Sequence, residues 1–116
     1  MTRYLISFPN GAMDHIPAEE LPAVGEAAHA VVQEAVDAGV WVFGGGLAED
    51  VAPVMVAGDG TITAGTYPQT TELDGGFAVL DLPSREAALE WAAKIAAACR
   101  CAQEIREFMP DPAVGN

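Results

Sequence analysis

The residue of this sequence best suited to acid–base chemistry is His29. An imidazole exchanges its proton close to neutral pH, so a positioned histidine can act as a general acid or a general base. His29 precedes Val36 by seven residues, which puts the two side chains about 20° apart on a helical wheel. Because Val36 belongs to the apolar stripe of a predicted helix, His29 lies on or beside the buried side. The alternative is a histidine at the rim of the hydrophobic core.

A second candidate is Asp81, a carboxylate inside the otherwise apolar segment 77–82. Alternation along a strand places it on the same face as Phe77 and Val79. A carboxylate in such a place is expected to have a perturbed pKa or to be paired, as a catalytic group often is. The alternative is a residue that faces water at the strand end. Trp41 is mainly a core residue, although its ring could also line a pocket.

A glycine run and a pair of histidines do not match the phosphate-binding and metal-binding motifs that they suggest. The run at 44–46 lacks the helix that must follow a phosphate-binding loop, since the next residues are acidic and end at Pro53. His15 and His29 are fourteen residues apart, without a neighbouring metal-ligand pattern. The sequence therefore predicts neither a metal nor a cofactor.

The charge balance restricts the partners. Lys and Arg number 5 and Asp and Glu number 17, which gives a net charge of −12. Nucleic acids and anionic membranes are therefore excluded, because both are bound through basic residues. The longest uncharged apolar stretch, 40–48, is well short of the roughly 20 residues of a membrane span. With Cys99 and Cys101 too close together for a redox or zinc motif, we expect a cytoplasmic protein with reduced thiols.

The elements that must position these residues follow from apolar periodicity and turn residues. The Gly58-Asp59-Gly60 segment predicts a tight turn inside a small hairpin, and Ser84 is typical of a helix N-cap. We predict strands at 4–8, 40–43, 51–57, 61–63, 76–82 and 104–109, and helices at 21–38 and 85–98.

Without the small hairpin, the predicted order is βαββαβ, the ferredoxin-like arrangement of an α+β protein in one domain, residues 1–116. The two helices cover one face of the antiparallel sheet. No residues remain to cover the other face. A second copy of the chain, forming a homodimer, is the simplest cover.

Several short motifs occur in an order that resembles the YCII-related family, in its DGPF-type branch. They are Ala38-Gly39, Gly44-Gly45-Gly46-Leu47, the segment 70–77, Ala88-Leu89-Glu90-Trp91-Ala92, and Glu104-Ile105-Arg106-Glu107. The sequence departs from the family pattern at residues 64–67, in place of the DGPF signature, and at Glu107, in place of a proline. The resemblance implies a dimeric ferredoxin-like α/β barrel.

The resemblance also marks Glu72 and Arg106, which match positions in family motifs. Both could point into a barrel cavity, where an arginine suits a carboxylate or enolate ligand. The alternative is that they pair with each other or with surface partners. A His–Asp dyad of the family's other branch is not carried over, because no Asp-Pro follows Trp91-Ala92.

The leading functional hypothesis is a small cytoplasmic homodimer that binds a small organic molecule in the barrel cavity of each protomer, with or without cofactor-free acid–base chemistry. The candidate catalytic residues are His29 and Asp81, and the candidate substrate-binding residues are Glu72, Arg106 and Trp41. The alternative is a non-catalytic binding or assembly module that uses its sheet face only for dimerisation. The fold does not decide between them.

Overall fold

The computed structural model describes all 116 residues. Its strands are β1 (Thr2–Phe8), β2 (Trp41–Gly46), β3 (Val54–Val56), β4 (Ile62–Ala64), β5 (Gly76–Leu82) and β6 (Glu104–Glu107), and its helices are α1 (Leu21–Asp37) and α2 (Arg85–Cys99). Short 3₁₀ turns occupy 10–13, 18–20, 68–70 and 112–114. Neither α-helix has the length and apolar character needed to cross a membrane.

Four of the strands form one antiparallel sheet in the order β2-β5-β1-β6. In its centre, Leu5 of β1 lies opposite Val79 of β5 on one side and Arg106 of β6 on the other. The α+β class and the βαββαβ order predicted from the sequence are confirmed, and the strand order fits the ferredoxin-like plan. The sheet of a single chain is open and does not close into a barrel.

The two helices pack on one face of this sheet. Alternation along β1 and β5 directs Tyr4, Ile6, Leu80 and Leu82 toward the helices, and all four side chains are buried. Small residues of the helices complete this core and allow a close approach to the sheet. They are Ala35 of α1 and Ala88 and Ala92 of α2.

Residues next to the helices account for the start of α2 and the end of α1. The Ser84 hydroxyl accepts a hydrogen bond from the Ala87 amide at 3.1 Å, which confirms the predicted N-cap of α2. Gly39 follows α1 with φ of +74°, a conformation that glycine adopts without strain. The prediction that Val36 is buried in the α1 stripe is wrong, because its side chain is 48% exposed.

The other face of the sheet, which we call the open face, has no helix packed on it. Its apolar side chains are Leu5, Phe43, Phe77 and Val79, and the Phe43 side chain is 72% exposed. Toward one end of the same face, Arg3 Nε donates to Asp81 Oδ1 at 3.0 Å. The open face is therefore an apolar centre with charges at its edge.

Strands β3 and β4, which follow β2 and precede β5 in the sequence, form a separate two-stranded hairpin. The Asp59 carboxylate accepts from the Thr61 amide at 2.9 Å, which stabilises the turn. Hydrogen bonding to the Thr61 side chain and to this amide lowers the pKa of Asp59. β3 is shorter than the predicted 51–57, because Pro53 cannot donate to a strand partner. β4 has its predicted length and is shifted by one residue, to 62–64. Val54, Val56 and Ile62 are all mainly exposed.

Candidate functional site

A cavity of about 340 Å³ lies at the end of the sheet, beside α1. The end of β1, the glycine-rich end of β2 and the start of β5 form one side, while the middle of α1 and the last turns of α2 form the other. Most of its wall is apolar. The side chains that provide this wall include Ile6, Phe8, Val31, Val32, Trp41 and Ile95.

Missing side chains create part of this volume. Gly46 of β2 and Gly76 of β5 lie opposite each other in the sheet, and both line the cavity. A Cβ atom on Gly46 would meet no heavy atom within 4 Å, so the space beside it is empty. On Gly76 the space is filled instead by the Phe8 ring, whose Cε1 would lie 2.7 Å from an added Cβ. These glycines therefore shape the cavity.

Trp41 is held in place by a second glycine contact. A Cβ on Gly44 would lie 2.6 Å from the Trp41 ring, so only glycine lets the indole lie against this part of β2. The register of β2 against β5 shifts between Trp41 and Phe43, which marks an irregularity in the strand. As a result, Trp41 faces the cavity and Phe43 belongs to the open face.

Polar groups lie around the apolar wall. His29 of α1 lines the cavity but is exposed overall, and no atom would crowd a Cβ added at the preceding turn, on Gly25. Glu49 and Asp74 lie on the loops that follow β2 and precede β5. The Asp74 carboxylate accepts from the Asn10 amide at 3.1 Å, which connects two of the lining loops. The site thus combines an apolar interior with an imidazole and two carboxylates.

Cys99, the last residue of α2, is buried in the cavity wall. Burial raises the pKa of its thiol, and the neighbouring Cys101 raises it further. Burial also raises the pKa of Cys101, against the opposing effect of a hydrogen bond from Gln103. Both residues are free cysteines. Their thiols are therefore poor nucleophiles at neutral pH, since the thiolate is the reactive form.

The structure separates the five candidate site residues into different places. His29 and Trp41 line the cavity, whereas Asp81, Glu72 and Arg106 do not.

The three residues outside the cavity have surroundings of their own. Asp81 pairs with Arg3 on the open face, and Arg106 donates to Glu104 at 2.6 Å on the same strand. Glu72 is exposed in the loop before β5 and does not pair with Arg106.

Sequence reasoning missed most of the cavity wall. Glu49, Asp74 and Cys99 were not candidates, because single residues on loops and at a helix end carry no periodic signal. The facing glycines of β2 and β5 did carry a signal, namely two glycine runs at the ends of neighbouring strands. No three His, Cys, Asp or Glu side chains lie close enough together to hold a metal ion.

The fold and the cavity define an α+β protein with a ligand-sized apolar cavity between its sheet and its helices. Comparison with protein families matches residues 4–110 to the YCII-related domain, so the chain belongs to the YCII-related family. Comparison with curated proteins gives no match.

Proposed function

We propose that this protein binds a small organic molecule in the cavity beside α1. The observation that carries the proposal is the cavity itself: about 340 Å³, mainly apolar, with a few polar groups at its edge. Ligand pockets of proteins are typically about 300–1,000 Å³ and have this composition. This cavity has about twice the volume of a roughly 150 Å³ protein cavity that binds benzene, so it suits a compact ligand.

We propose His29 as the group that would move a proton if the ligand is a substrate. It is the imidazole of the cavity, and general acid–base catalysis needs only a positioned group that exchanges protons near the working pH. Such a reaction requires no cofactor. The buried Cys99 thiol, whose pKa is raised, is a poor alternative.

We further propose a homodimer whose open faces pack together as a dimeric ferredoxin-like α/β barrel. Four strands about 4.8 Å apart and up to seven residues long present a face of roughly 450 Å². A stable interface buries about 800 Å² on each partner. The exposed apolar side chains of the β3–β4 hairpin, which follows the edge strand β2, would supply much of the remaining area.

In this dimer, Asp81 and Arg106 belong to the polar rim, where interfaces keep their charged residues. The segment 70–77 favours the DGPF-type branch of the family. The two free thiols fit a reducing, cytoplasmic setting.

A thermal-shift screen of small organic molecules tests the binding function, because a ligand that binds only the native state raises the melting temperature. A molecule that binds in the cavity should also shift the NMR resonance of the Trp41 indole N–H, since this ring lies in the wall. His29→Ala should abolish any activity found with such a molecule and leave folding intact. Equal loss of folding and activity would instead make His29 a structural residue.

A second candidate function is a non-catalytic assembly module. The observation that favours it is the exposure of Phe43 on the open face, which has no role in the cavity. For this function, the screen should yield no ligand, while association of the chain should persist. The two candidates are thus distinguished by cavity binding.

A further inference from the structure

The charged groups of the cavity are unequal in sign. Glu49 and Asp74 both line it, and no lysine or arginine does. His29 is its one basic residue. A ligand that enters with a negative charge would therefore meet two carboxylates and no permanent cation.

The basic residues elsewhere in the chain cannot compensate. Four of the five are held in ion pairs with acidic residues of the same chain: Arg3 with Asp81, Lys94 with Glu34, Arg100 with Glu20 and Arg106 with Glu104. The fifth, Arg85, begins α2, whereas the cavity is lined by the other end of that helix, at Ile95 and Cys99. The cavity is therefore without a cation within its own wall and without an unpaired one nearby.

The field of the whole protein acts in the same direction. A net charge of −12 raises the local concentration of cations and lowers that of anions. The C-terminal end of α2, at Cys99, also lies in the cavity wall, and the partial negative charge at the end of a helix favours positive groups nearby.

We infer that the cavity selects a small, mainly apolar molecule carrying a protonated amine. Its apolar part lies against Val32 and Trp41, and its ammonium group lies toward Glu49 and Asp74. This inference rests on the proposed ligand-binding function, to which it adds the chemical class of the ligand. An anionic ligand held by Arg106 is disfavoured, because that guanidinium is outside the cavity and already paired.

Three probes of similar size and different charge test the inference on the wild-type protein: 2-phenylethylamine, 2-phenylethanol and 3-phenylpropanoate. Binding is measured by calorimetry and by the shift of the Trp41 indole N–H resonance. An exposed ion pair strengthens binding about two- to fivefold, and repulsion of an anion has a similar effect in the opposite sense. We therefore expect the amine to bind about tenfold more tightly than the carboxylate, with the alcohol between them.

The electrostatic origin of this preference is tested by salt and by substitution. The preference should shrink as ionic strength rises from about 0.01 M to about 1 M, where the Debye length falls from about 30 Å to about 3 Å. Glu49→Gln and Asp74→Asn should each weaken amine binding severalfold and leave the alcohol unchanged. Glu90→Gln is the matched control, because it removes the same charge from an exposed position of α2 outside the cavity.

The outcomes separate the inference from the proposed function. If the carboxylate binds as tightly as the amine and shifts the Trp41 resonance equally, the inference is wrong while ligand binding in the cavity stands. If Glu90→Gln weakens amine binding as much as Glu49→Gln, the preference comes from net charge alone and the assignment to the cavity is wrong. If none of the three probes binds, the inference is wrong; a thermal-shift screen that also finds no ligand would overturn the proposed function as well.

Discussion

Replacing Phe43 with serine tests the proposed dimer most directly. The side chain is 72% exposed in one chain and contacts no helix, so its removal should change the stability of the monomer by about 0.5 kcal/mol or less. In a dimer with packed open faces, the same ring is buried in both copies. The substitution therefore separates association from folding.

The expected loss follows from the exposed fraction. Complete burial of a phenylalanine side chain contributes about 1.5–3 kcal/mol, so burying the exposed 72% contributes about 1–2 kcal/mol. Two-fold symmetry counts this contribution twice and gives about 2–4 kcal/mol per dimer. Because about 1.4 kcal/mol corresponds to a factor of ten, the dissociation constant should rise roughly 30- to 700-fold.

Sedimentation equilibrium at micromolar concentration measures this change, and thermal unfolding of the variant confirms that it still folds. Leu89→Ser is the control: it removes a half-exposed apolar side chain from α2, on the opposite side of the sheet. Added salt should leave the wild-type dimer intact or tighten it, because it screens repulsion between chains of charge −12. A monomeric wild-type protein, or an unchanged dissociation constant in Phe43→Ser, would refute the reasoning.

Two further predictions concern the wall of the cavity. Gly75→Ala should destabilise the fold by about 1–3 kcal/mol in denaturant titrations, because the new Cβ would lie 1.9 Å from a β1 carbonyl oxygen. Gly45→Ala, where nothing lies within 4 Å, should be nearly neutral, and equal losses would contradict the packing. Burial raises the pKa of Cys99 in the folded state, so the folded protein holds the thiol proton more tightly than the unfolded chain does. The stability that this difference contributes is complete below the unfolded pKa of about 8.5 and is lost as pH rises through the folded pKa. The unfolding free energy of the wild type should therefore fall more steeply above about pH 9 than that of Cys99→Ala, and parallel curves would contradict this assignment.

The sequence predicted the elements well where the local chemistry was unambiguous. The bounds of β5, Gly76–Leu82, agree residue for residue with the prediction, because an apolar run there lies between a glycine pair and Pro83. Ser84 caps α2 as predicted, since its hydroxyl accepts from the Ala87 amide, one of the amides that have no partner within the helix. β6 ends at Glu107, two residues before its predicted end at 109, where its pairing with β1 stops.

The rest required knowledge of what each element packs against. A helical wheel gives the direction of Val36 but not the extent of the sheet beneath it. Ala35, in the last turn of α1, is buried in the core, whereas Val36, about 100° further around the helix, lies beyond the edge of the covered stripe. Ile16 is the opposite case, since it is buried although it lies in a segment predicted to be an open loop.

The candidate site was predicted only in part for the same reason. His29 and Trp41 do line one cavity, as their types and positions suggested. The cavity, however, lies beside α1 and not on the open face, because part of its volume comes from the side chain that is absent at Gly46, on the helix-covered face of β2. Apolar periodicity cannot predict a cavity that glycines create, because the space beside a glycine is empty or filled according to which strands become its neighbours.

The strand order also determines when the sheet can form during synthesis. β1 pairs only with β5 and β6, and β2 pairs only with β5, so neither early strand has a partner while the ribosome is still translating the first 75 residues. Contacts between such distant segments form slowly, because a long loop must close before any of them is gained. Until Gly76–Leu82 emerges, the apolar β1 remains a free edge that can pair with another nascent chain. The four-stranded sheet can therefore begin to form only once β5 has emerged, because β5 is the strand that both earlier strands pair with.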